Sequence, residues 1–156
     1  MLTVTMPYRC TMSLQGFMPF GVAGLALDKQ KLVGKLSRRI SDATADIQFG
    51  IKAKSNDIKL SRATVIAYEK GDAVIPLDEY KKCLDEFTAG DAEIEKQLEE
   101  LVTISITTEE AKVAKEVIGR VDFGKMERKQ FSAPDMANLY EAEEIITTAL
   151  DAAKEE

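Results

Sequence analysis

From Ile40 to Leu101 the apolar residues keep a helical period on both sides of one turn, and no other feature restricts the fold as much. On the first arm Ile40, Ile47, Ile51, Ile58 and Val65 follow at steps of seven or four, with Tyr68 three residues further on. That spacing puts them on one helical face. On the second arm Tyr80, Leu84, Phe87, Ile94, Leu98 and Leu101 repeat the pattern, and Asp91 is its one polar gap. Between the arms lies Glu69-Lys70-Gly71-Asp72. Gly71 can take the left-handed conformation that ends a helix, and Pro76 suits the start of the next one. A short connection favours antiparallel neighbours. The expectation is a long helical hairpin, its first helix running from about Ser37 and its second from about Leu77. Thr88-Ala89-Gly90-Asp91 is a potential break in the second helix, but the seven-residue spacing runs through it, so one helix is expected. Ile58 and Leu98 are expected to be buried against partner helices.

Further along, Val102, Ile104 and Ile106 alternate with Thr103 and Ser105, the period of a short strand. One strand cannot make a sheet, so its partner must come from the N-terminal arm or from another copy. Thr107 with Glu110 forms a capping box that opens a third helix carrying Val113, Val117 and Ile118, with Gly119 near its end. A polar connection holding Gly124 and the basic residues Lys125, Arg128 and Lys129 follows. Ser132 then caps a fourth helix with Pro134 in its first turn, whose stripe is Met136, Leu139, Ile146 and Leu150.

The first 35 residues carry no helical stripe. Gly16, Gly21 and Gly24 with Pro19 interrupt an apolar run from Gly16 to Leu27. It falls short of the roughly 20 unbroken apolar residues that a membrane span needs. A signal peptide is an alternative reading, with Arg9 as its n-region and Gly24-Leu25-Ala26 as its cleavage site. The preferred reading is an extended arm, residues 1–35, that contacts neighbouring subunits through Met12, Leu14, Phe17, Met18 and Phe20. Residues 36–156 are then a helical bundle. The glycine spacing matches neither GxGxxG nor GxxxxGK[ST].

The expected fold class is therefore all-α: a long antiparallel helical hairpin plus two shorter helices, an extended N-terminal arm and one short strand. At 156 residues the chain is long enough to bury a real core. It has no histidine, which excludes every Ser-His-Asp or Cys-His nucleophile and every imidazole metal site. Its glutamates lack the histidines of a di-iron bundle. Cys10 and Cys83 stand far apart without a CxxC partner and are expected to be reduced thiols. No enzyme activity, cofactor or metal is expected.

Charge divides unevenly. Residues 1–40 carry a net charge of +5, residues 41–70 of +1 and residues 71–156 of −12, against −6 for the whole. A basic front and an acidic back could meet head to tail between copies. Lys29, Lys31, Lys35, Arg38 and Arg39 form the exposed face of an entry helix in the preferred reading, with contact to phosphates as the alternative.

One local resemblance points elsewhere. Leu60 to Gly71, followed by Ile75-Pro76, resembles the recognition-helix end of phage-repressor-like helix-turn-helix domains. The resemblance implies that Ser61, Arg62 and Thr64 would face the major groove of DNA. It covers about a tenth of the chain. Lys59 and Lys54 depart from the small and apolar residues of that family, and the chain as a whole is acidic.

The function expected from these readings is a structural or adaptor subunit of a larger protein assembly, such as a virion-like particle, in the cytoplasm or a virion. Its partners are other protein subunits, the same or different, with no nucleic acid and no membrane span. The alternatives are a DNA-binding regulator using residues 60–76, and a secreted or lumenal helical bundle docking on a membrane complex.

Overall fold

The computed structural model describes residues 1–120 and 132–154. In chain order the elements are β1 (Leu2–Pro7), α1 (Tyr8–Gly21), α2 (Leu27–Asp57), α3 (Lys59–Glu69), α4 (Leu77–Leu98), β2 (Leu101–Ile106), α5 (Thr108–Gly119) and α6 (Ala133–Lys154). The class is all-α with one two-stranded sheet. The expected basic connection with Lys125, Arg128 and Lys129, together with Glu155 and Glu156, lies outside the described residues. Two compact units form: Met1–Thr44 with Glu100–Glu156, and Ala45–Glu99.

The first unit is built from both ends of the chain. β1 and β2 pair antiparallel, Leu2 opposite Ile106 through to Pro7 opposite Leu101. Alternation sends Val4, Met6, Val102, Ile104 and Ile106 to the buried face. The other face carries Thr5 and Thr103, whose hydroxyls hydrogen-bond at 3.0 Å. The strand partner is therefore the chain's own N-terminus. α6 packs on β1, α1 and α5, and buries Leu139, Ala142, Ile146 and Leu150. From α5, Val113, Ala114, Val117 and Ile118 join the same core. α5 opens with the capping box of Thr107 and Glu110, and α6 with Ser132, whose Oγ accepts from the Asp135 N–H.

The expected extended arm is confined to β1. Tyr8–Gly21 is a helix, with Leu14, Phe17 and Met18 buried in the core. Helix is favoured there because packing offsets the weak local propensity of Gly16 and Pro19. Pro19 lies inside the helix, where it removes the bond its N–H would give to the Gln15 carbonyl, a cost that the packing of Leu14, Phe17 and Met18 must offset. Gly21 is a contact point: a methyl group there would come within 2.5 Å of Val117 Cγ1. Only Gly24, at φ +84°, acts as a true breaker. Arg120 completes that helix end by donating to the carbonyls of Gly21 (2.8 Å) and Ala23 (2.7 Å), placing a cation at a C-terminus.

The second unit comprises the end of α2, then α3 and α4. The expected first arm is interrupted at Ile58, where α2 gives way to α3, while Ile58 N–H still donates to the Lys54 carbonyl and Arg62 N–H to that of Ile58. The turn is a Schellman motif: Asp72 N–H donates to the Ala67 carbonyl and Gly71 N–H to that of Tyr68, with Gly71 at φ +77°. α4 runs unbroken through Gly90, where Ile58 lies so close that any β-carbon would overlap it. Tyr68 stacks on Tyr80, ring centroids 4.2 Å apart, and the Tyr80 hydroxyl donates to Glu69 at 2.8 Å. Ile58 and Val65 are buried as expected, but Leu98 is only half-buried, with Leu84, Phe87 and Ile94.

Candidate subunit-contact surfaces

The first unit carries two polar clamps. Arg39 Nη1 donates to both oxygens of Glu110, at 2.7 and 2.9 Å, and to the Ser105 carbonyl at 3.1 Å. Glu110 is 2 % exposed. Burial alone would push its carboxyl up. The hydrogen bonds from Arg39 and from Thr107 outweigh that and hold it below the ordinary range. On α1, Arg9 pairs with Glu141 and donates to Asn138 Oδ1 at 2.8 Å. Asn138 in turn donates to Ser13 Oγ at 3.1 Å. The Arg9 hydrogen bond keeps the Glu141 carboxyl below its usual value. These groups are spent on one another and hold α1 and α2 to the core, an assignment of structure rather than chemistry. Neither clamp was legible in the sequence, because each joins residues more than 60 positions apart.

Of the five arm residues expected to meet a neighbour, Leu14, Phe17 and Met18 are in the core, while Met12 (44 %) and Phe20 (55 %) remain exposed. α1 and α2 leave an open groove of about 240 Å³, lined mainly by Met18, Pro19, Val22, Val33 and Gly34. In the second unit Ser61 is buried and its hydroxyl donates to Glu86 at 2.7 Å. Arg62 is exposed, and Thr64 is half-buried and donates to the Leu60 carbonyl at 2.9 Å. Ser61 therefore faces α4, while Arg62 is turned to solvent. The turn between α3 and α4 carries Val74, 99 % exposed, and Leu77, 54 % exposed. Sequence periodicity missed Val74 because it belongs to no helical stripe.

Cys10 and Cys83 form no disulfide. Among the described residues no His, Cys, Asp and Glu group of three or more could hold a metal ion, and no helix is long and apolar enough to cross a membrane. Comparisons with protein-family models, with curated proteins and with solved structures find no match.

Proposed function

We propose that this chain is a non-enzymatic structural subunit of a larger protein assembly, in which the second unit is the contact element. The observation that carries the reading is the thinness of that unit. Between Ala45 and Glu99 only Ile58, Ser61, Val65 and Gly90 are buried, while Phe49, Leu60, Ile66, Val74 and Leu77 are exposed. A monomer gains nothing from so much uncovered apolar surface, whereas an assembly covers it. The half-buried residues of α4 support the same reading, because a third helical face would complete their burial.

Sedimentation velocity over a wide concentration range tests it. The expected result is a concentration-dependent species of several times 17.2 kDa. A chain that stays at 17.2 kDa up to millimolar concentration overturns the reading.

A further inference from the structure

We infer that the α3–α4 turn of one copy docks in the α1–α2 groove of the next, a head-to-tail contact between copies. The inference rests on the assembly reading and names the two surfaces. One is an apolar knob. Val74 is almost wholly solvated between Gly71 and Pro76, and Leu77 and Ile66 are exposed nearby. The other is an apolar recess. Met18, Pro19, Val22 and Val33 line it, with Gln30 and Ser37 on its α2 side, and Gly34 contributes no side chain, with open space beyond its α-carbon. A volume of about 240 Å³ has room for the side chains of one or two aliphatic residues.

Charge decides the occupant. The knob is flanked by Glu69, Asp72, Asp78 and Glu79 against Lys70, so residues 69–79 carry a net charge of −3. The α2 positions that line the groove are flanked at helical spacing by Lys31, Lys35 and Arg38, all exposed. Lys29 is already paired with Glu116 at 3.0 Å, so Lys31, Lys35 and Arg38 against Asp28 leave a net +2 beside the groove. Lys31, Lys35 and Arg38 form no ion pair among the described residues, and neither do Asp72, Asp78 and Glu79. Flanks of opposite sign around a convex and a concave apolar surface fit a second copy of this chain. Complementary potentials of this kind set register and speed association. The contact joins different surfaces of the two copies, so each copy retains one free knob and one free groove. Such contacts close into rings or extend as filaments.

The test uses the full chain and two single substitutions. Val74→Asp places a charge on the knob, and Gly34→Phe adds a ring at the groove, at a position where a β-carbon meets nothing within 4 Å. Circular dichroism and urea unfolding confirm that each variant folds, with Lys31→Glu/Lys35→Glu as a second groove variant. In sedimentation velocity each variant alone is expected to weaken association by at least about tenfold, as loss of a central contact does. Mixed in equal amounts, they should form a 1:1 dimer that grows no further. The Val74→Asp chain supplies an intact groove, and the Gly34→Phe chain supplies an intact knob. Association should also weaken as salt rises.

Assembly of both variants like the parent overturns this inference and leaves the assembly reading standing. Loss in only one of them, or no dimer in the mixture, overturns it as well. A parent that is monomeric throughout overturns both.

Discussion

The two units of this chain are made from similar material and finished differently. Both draw on amphipathic helices with apolar residues at steps of three, four and seven. In the first unit, elements from the two chain ends close around one another, and α6 meets a strand and two helices. In the second, α3 and α4 meet chiefly each other. A helix with one neighbour can bury only a narrow stripe, so residues of the same apolar character end up half-covered. Periodicity reports which face is apolar, and the number of neighbours decides whether that face becomes core or surface.

The largest expected effect contrasts the two directly. Leu139→Ala, in the first unit, should cost roughly 2–5 kcal/mol, as truncation of a fully packed leucine does. Phe87→Ala, in the second, should cost under about 1.5 kcal/mol in dilute solution, since its ring is only half-buried. Urea denaturation followed by circular dichroism measures both. Equal costs would mean that the second unit has a core after all.

A smaller effect sharpens the contrast through pH. Glu110 is held below its ordinary value of 4.5 in the folded chain. A depressed carboxyl contributes stability that is present above its unfolded value and is lost as pH falls through its folded value. Unfolding titrations should therefore show stability dropping below about pH 4.5. Glu110→Gln should remove part of that slope and cost about 1–3 kcal/mol at neutral pH, because it breaks a buried charge-assisted contact. An unchanged slope would show that the clamp to Arg39 does not respond to protons.

The smallest effect lies in the second unit. Gln97 Oε1 is buried with no hydrogen-bond partner among the described residues. Gln97→Leu should raise stability by up to about 1 kcal/mol, since an unsatisfied polar atom is exchanged for an apolar one. A loss on the same substitution in urea would show that this oxygen is satisfied in solution.

What could be read in the sequence was local. The Thr107–Glu110 box, Ser132 with Pro134, the Gly71 turn and the alternation from Val102 to Ile106 are decided by residues a few positions apart, and each occurs where the pattern placed it. The helical state of Tyr8–Gly21 was hidden because Gly16 and Pro19 read as breakers, and the packing that overrides them comes from α5 and α6. The start of α2 at Leu27, ahead of Ser37, was obscured by Gly34 and a dense run of basic residues. On the contact surfaces the difficulty was of another kind. Arm residues as apolar as Phe17 and Phe20 differ only in which way the helix turns them, one inward and one outward.

The pairing of β1 with β2 also sets a timetable for the nascent chain. Pro7 leaves the ribosome long before its partner Leu101 is made. At about 5–20 residues per second, that interval is roughly 5–20 s. Leu14, Phe17 and Met18 emerge early, while the α5 and α6 surfaces that will cover them are still unsynthesised. The hairpin of α3 and α4 closes its turn and stacks Tyr68 on Tyr80 within residues 59–98, so it can form while α5 and α6 are still being made. The hairpin with the least core is thus complete before the cover of α1 exists. The segment with some of the most deeply buried side chains spends the longest time in search of a cover, and holdase chaperones recognise segments in that condition.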